Sequence, residues 1–123
     1  MPTRQRVQEF VSYVEQGKFL EAMEEFYADD IIMQENLKPP TVGKAANIER
    51  ERGFVAWIAD LRLSRAAAVV VDGDQVVIHW QSEYVGTDGA HVRYDQLTHQ
   101  LWRGDRIARE RFVYDPTTLP VAA

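Results

Sequence analysis

Cysteine is absent from these 123 residues. Its absence removes thiol catalysis, thiolate metal sites and disulfide staples, and leaves the redox compartment open. Long apolar runs are missing too, since nothing approaches the roughly 20 residues a bilayer span requires. The opening Met1-Pro2-Thr3-Arg4-Gln5-Arg6 leads into an amphipathic pattern and not into the apolar stretch of a secretory signal. Cytoplasmic residence without membrane contact is therefore the expectation. Positive charge is scarce: 14 Lys and Arg stand against 19 Asp and Glu, for a net charge of -5. Phosphate binding needs clustered positive charge, so nucleic acid is excluded as the main partner. There are no repeats, no linker, no Gly-rich phosphate loop and no Ser-centred nucleophile elbow. His79, His91 and His99 have no metal-ligand spacing, so no metal or organic cofactor is expected.

What is present is a foldable composition, 46% hydrophobic and 27% charged, in a length that suits one domain over residues 1–123. Val7, Phe10, Val11 and Val14 recur at helical spacing and predict a helix over 3–16, closed by Gly17. Phe19, Leu20, Met23, Phe26 and Tyr27 predict a second helix forming a hairpin with the first. A short strand is expected over 31–35, a loop through Pro39-Pro40, and a third helix over 44–61 with Glu49-Arg50-Glu51-Arg52 in water. Four strands follow, over 66–71, 75–85, 91–102 and 106–114, with turns at Asp72-Gly73-Asp74, Gly86-Thr87-Asp88-Gly89 and Arg103-Gly104-Asp105. Short turns make these strands antiparallel neighbours. The expected class is α+β: a curved antiparallel sheet wrapped around three N-terminal helices, forming a cone with a pocket inside.

Two stretches carry a family resemblance. One is Phe26-Tyr27-Ala28-Asp29-Asp30-Ile31-Ile32, followed by Gly43 opening the third helix. The other is Gly104-Asp105-Arg106-Ile107, running to Phe112-Val113-Tyr114-Asp115-Pro116. With the element order, they resemble the nuclear transport factor 2-like superfamily, above all its SnoaL-like and ketosteroid isomerase-like branches. That fold hosts isomerases, cyclases, dehydratases, hydrolases and non-catalytic binders, so fold alone does not name an activity. The resemblance to ketosteroid isomerases puts Glu35 at the general-base position. It puts Phe10 and Thr98 where those enzymes hold a tyrosine and a protonated aspartic acid, and Tyr13 lies one helical turn from Phe10. Phenylalanine donates no hydrogen bond and threonine is a weaker donor, so the oxyanion pair is not reproduced. A comparison with limonene epoxide hydrolase aligns its catalytic positions with His79, Gln81 and Phe112, none of which is a carboxylate. Arg93-Tyr94-Asp95 falls on the following strand.

These alignments set a register. They expect His79, Gln81 and Glu83 on the concave face, with Tyr94, Thr98, Trp102, Glu110, Phe112 and Tyr114. Ile78, Trp80, Tyr84, Leu97, His99 and Leu101 are then expected on the outer face, a surface apolar enough to hold a second copy of the chain in a homodimer. The candidate catalytic set is Glu35 as base, His79 as shuttle or acid, and Glu110. Tyr13, Gln81, Thr98 and Tyr114 are expected to contact ligand, with Trp57, Trp102 and Phe112 at the core or pocket wall. Three functions stay open: a cofactor-independent isomerase, cyclase or dehydratase acting on an apolar carbonyl-bearing molecule, a binder of a hydrophobic metabolite, or a protein-interaction module.

Overall fold

In the computed structural model, which describes residues 1–116, α1 (Arg4–Glu15) begins at Thr3, whose hydroxyl accepts from the Arg6 backbone N–H at 3.0 Å. Its buried stripe is Val7, Phe10 and Val11. Gly17 takes φ 78°, and a Cβ there would come within 2.7 Å of Leu61 Cδ2, so glycine is needed twice over at this corner. The second helix, α2 (Phe19–Phe26), buries Ala22, Met23 and Phe26 and passes directly into β1 (Tyr27–Glu35). The expected proline loop contains a two-residue strand, β2 (Thr41–Val42), paired with Ile32 and Met33.

The third helix, α3 (Lys44–Trp57), is shorter than its periodicity predicts. Residues 58–61 belong instead to β3 (Ile58–Asp72), which pairs with β4 (Gln75–Gly86) from Ile58 opposite Gly86 to Asp72 opposite Gln75. The ladder overrides local helical spacing because it offers these residues long-range pairing that a helix end lacks. Three register irregularities interrupt β3, between Ile58 and Asp60, Leu61 and Leu63, and Ala66 and Ala68. Such bulges bend and twist a strand, which lets this sheet curl around the helices. A hairpin joins β4 to β5 (His91–Arg103), and a tight turn joins β5 to β6 (Arg106–Val113).

The sheet order is β2-β1-β6-β5-β4-β3, antiparallel except where β1 runs parallel to β6. It remains unclosed between β2 and β3, giving an α+β cone with the helices against its concave face. The core joins Val7, Phe10, Phe26, Ile31, Ile78 and Ile107, all buried. Among the described residues no helix is long and apolar enough to cross a membrane. Residues 117–123, included in the single-domain expectation, lie outside the described residues.

One face assignment is overturned. Ile78 pairs with Thr98, Trp80 with Gln96 and Tyr84 with Val92, whereas His79 pairs with Leu97 and Gln81 with Asp95. Directly opposed residues in an antiparallel ladder share a face. Thr98 is buried and Leu97 exposed, so Ile78, Trp80 and Tyr84 point inward, and His79, Gln81 and Glu83 point outward. Leu97, His99 and Leu101 do lie on the outer face, as expected. The alternation within β4 already carries this answer, since Val76, Ile78, Trp80 and Tyr84 are apolar while Gln75, His79, Gln81 and Glu83 are polar.

Candidate active site

The parallel β1–β6 ladder sets Met33 beside Glu110 and Glu35 beside Phe112. Both side chains line the inside of the cone, and their backbone positions lie two residues apart, about 7 Å along the strand direction. Around them lies a cavity of about 220 Å³. Its inner wall is apolar: Phe10 and Val14 from α1, Phe19 and Met23 from α2, Trp80 from β4 and Phe112 from β6. Its polar lining comprises Tyr27, Glu35, Arg50, Glu51, Ser64, Ser82, Tyr84, Tyr94, Gln96 and Glu110.

Glu110 is 2% exposed. One oxygen accepts a hydrogen bond from the Tyr27 hydroxyl. The other accepts from Gln100 Nε2 at 2.5 Å, and Gln100 Oε1 in turn accepts from the Trp102 indole N–H at 2.9 Å. Burial is the largest influence on this carboxyl and pushes its pKa up to about 7, against the two hydrogen bonds that favour its charged form. From α3, Glu51 adds to the rise and Arg50 opposes it. Burial and the adjacent Glu110 hold the Tyr27 phenol well above its ordinary value.

Glu35 sits nearer solvent. Its Oε1 accepts from the Tyr114 hydroxyl at 3.3 Å, and its Oε2 faces Arg50 Nη1 at 3.7 Å. Arg50 Nη2 also reaches Asn47 Oδ1 at 3.4 Å. Asn36, at φ 49°, anchors this end: its backbone N–H donates to Phe112 O at 2.8 Å, and its side-chain oxygen accepts from the Tyr114 N–H at 3.1 Å. Glu51 is pushed up chiefly by burial, then by Glu35, with Arg50 acting the other way. Edge-on rings run from Phe54 to Tyr84 (5.4 Å), Tyr94 (5.6 Å) and Tyr114 (6.2 Å). Burial lifts the Tyr84 phenol to about 12, so it offers a proton donor across the physiological range.

The cavity thus brings together Glu35, Glu110 and Phe112, with Tyr114 bonded to Glu35 at its edge. His79 and Gln81 are not part of it. His79 lies on the outer face with its Nε2 2.6 Å from Asp95 Oδ1, because β4 parity turns it away. Thr98 and Trp102 are buried outside the cavity lining, and the Thr98 hydroxyl accepts from the Trp80 indole at 3.2 Å. Tyr13 packs edge-on against Phe26 at 5.2 Å, and Trp57 stacks on Phe54 at 6.2 Å and over Gly86, so neither lines the cavity.

Several lining or supporting residues escape a reading of the sequence. Arg50 and Glu51 hide in the charge run on α3, Tyr27 at the end of a helical stripe, and Trp80 and Tyr84 behind the inverted register. Gln100 was available from parity, since it shares the inner face of β5 with Thr98 and Trp102. Among the described residues, no three His, Asp or Glu side chains converge as a metal-binding group.

Solved structures share this architecture. A protein described as a SnoaL-like polyketide cyclase, from Mesorhizobium loti, superposes with a TM-score of 0.78 at 22% identity, over 93% of this chain and 100% of that one. A protein of ketosteroid isomerase-like fold from Catenulispora acidiphila, in complex with trimethylamine, gives 0.77 at 17% identity, over 95% and 90%. An LEH-like epoxide hydrolase from M. tuberculosis gives 0.73 at 13%, over 90% and 80%. At these identities the likeness is one of fold. No curated protein sequence matches the chain. The SnoaL-like domain model, however, matches residues 7–110, most of the chain, and with the cone and its inward-facing cavity already described, the protein belongs to the SnoaL-like domain family of the nuclear transport factor 2-like superfamily.

Proposed function

We propose that the cavity takes a small, mostly apolar, carbonyl-bearing molecule and moves a proton on it, as an isomerase, cyclase or dehydratase does. The observation that carries this reading is Glu110, a buried carboxyl titrating near 7 at the wall of an aromatic cavity. A group poised near neutral pH both gives and takes a proton there, which is what acid–base catalysis requires. Glu35 supplies a second carboxyl on the same face, held by Arg50 and Tyr114, so two carboxyls in different surroundings are available for opposite roles. The family's activities, which include cyclisation and isomerisation, agree with such chemistry.

Deuterium incorporation from D2O into a panel of cyclic enones and 1,3-diketones, followed by proton NMR, tests proton transfer without a known substrate. Exchange in the unaltered protein that falls at least about 100-fold in Glu110→Gln supports the proposal. Equal exchange in both sinks it. The same comparison with Glu35→Gln reports on the base role. A second reading, a non-catalytic binder, draws on one fact: both Glu110 oxygens already have protein donors. Native mass spectrometry showing a retained ligand, with no exchange on any panel member, selects it.

We also propose that a second copy covers the outer face. Leu63, Val70, Leu97, Leu101 and Val113 are exposed, and on that face stand the pairs of His79 with Asp95 and His91 with Glu83. Apolar groups with both signs of charge suit a surface that pairs with itself.

A further inference from the structure

We propose that Trp102 and Gln100 are positioning residues for Glu110: the Trp102 indole captures the Gln100 amide oxygen and so turns the amide NH2 toward the carboxyl. This rests on the reading of Glu110 as the proton-transfer group of the cavity. Trp102 lies outside the cavity lining and acts only through Gln100.

A primary amide is two-sided, donor on one side and acceptor on the other, and a carboxyl can meet either. An indole N–H is a donor and nothing else. Buried beside Gln100, two residues away on the same face of β5, it is satisfied by the amide oxygen at 2.9 Å. The choice of half is thereby made. Nε2 is left facing β6, where Glu110 stands directly opposite Gln100 in the ladder and Oε2 is 2.5 Å away. The reverse orientation would set the amide oxygen against the carboxyl, a contact only the protonated acid satisfies. Orientation of one amide therefore decides which protonation state of Glu110 this hydrogen bond favours.

Among the described residues, no other group facing Glu110 duplicates the amide. From β1, Tyr27 donates to the opposite oxygen, Oε1. From α3, Glu51 and Arg50 act through space with opposite signs, and Arg50 is engaged with Glu35 and Asn47. From further along β1, Glu35 bonds Tyr114. Losing the indole frees the amide to follow the carboxyl: it donates to the ionised form and accepts from the protonated one. Its bias toward the ionised form then disappears, and the protonated form persists to higher pH.

Carbon-detected NMR titration of the side-chain carboxyls, with nitrogen-15 spectra of the Gln amides and Trp indoles, tests this directly. In the unaltered protein, the Gln100 NH2 signals should move with the Glu110 midpoint. Trp102→Phe should raise that midpoint by about one pH unit, and Gln100→Met at least as far. The double variant should go no further than Gln100→Met alone, because Trp102 acts through Gln100. An unmoved midpoint in folded Trp102→Phe overturns the proposal, as do additive shifts in the double variant. If a variant does not fold, the unaltered protein decides: a Gln100 amide indifferent to the Glu110 titration is the overturning result. None of these readouts involves turnover. A network that behaves as described in a protein without deuterium exchange would refute the chemistry assigned to Glu110 and leave the positioning intact.

Discussion

Two hydrogen-bond donors on a carboxyl ordinarily hold its pKa low. Glu110 has two, and burial outweighs them both. Unfolded, the group titrates near its ordinary 4.5, and folded near 7, so the folded chain holds the proton more tightly between those values. Its contribution to stability is complete below pH 4.5 and is lost as pH rises through 7, a span of about 3 kcal/mol. Glu110→Gln has no charge to bury. Relative to the unaltered protein, its melting temperature should therefore rise between pH 5 and pH 7 and level off by pH 8, and a difference that stays constant with pH would contradict the burial argument. Parity along β6, with the register taken from the family resemblance, aimed Glu110 inward. Its partners were not legible, since Tyr27 lies 83 residues away and meets it only through the parallel β1–β6 pairing. Arg50 and Glu51 were hidden for a related reason: a charge run reads as a solvated face until another element covers part of it.

At the scale of elements, β4 and β3 are instructive. The inward side of β4 is legible from its own alternation of Val76, Ile78, Trp80 and Tyr84 against polar neighbours. An alignment to distant relatives shifts it by one residue, and a one-residue slip exchanges every side chain between faces. This is why His79 and Gln81 left the candidate site while Trp80 and Tyr84 entered its wall. The early end of α3 was not legible, because residues 58–61 keep an apolar spacing compatible with a helix. Their pairing with β4 draws them into the sheet, and Trp57 closes over Gly86 at the junction, where its carbonyl accepts from the Thr87 N–H at 2.8 Å. A Cβ at Gly86 would lie 2.2 Å from the Trp57 ring. Gly86→Ala should thus displace that ring and cost about 1–3 kcal/mol, read as a lower urea midpoint with altered tryptophan fluorescence. An unchanged midpoint would mean that the ring is not pinned there.

For the whole molecule, the curved sheet places two aromatic side chains, Trp80 and Tyr84, on the opposite side from the initial expectation. Trp80, Tyr84 and Tyr94 face the interior, and the exposed apolar groups of the outer face are aliphatic. If a second copy covers that face, Leu97→Lys should convert a dimer to a monomer in sedimentation velocity while leaving ligand retention in the cavity unchanged. A monomeric unaltered protein, or a dimer that survives the substitution, would remove the outer face as the interface. Leu97 is exposed, so the substitution should leave the fold intact, and circular dichroism checks it.

Local patterning was sufficient for the order of the helices and longer strands and for the turns, because these follow from spacing along one segment, while the inward direction of Glu35, Glu110 and Phe112 came from the family resemblance. Absence of cysteine likewise limited the chemistry available to side chains from the start. The length of β3, the face of His79 and the network from Trp102 to Tyr27 required the tertiary structure. Each depends on which residues of different strands stand opposite one another, and strand pairing is a property of the assembled sheet. The near-neutral carboxyl belongs to the same class: a glutamate's identity is written in the chain, but its desolvation is made only when the cone closes around it.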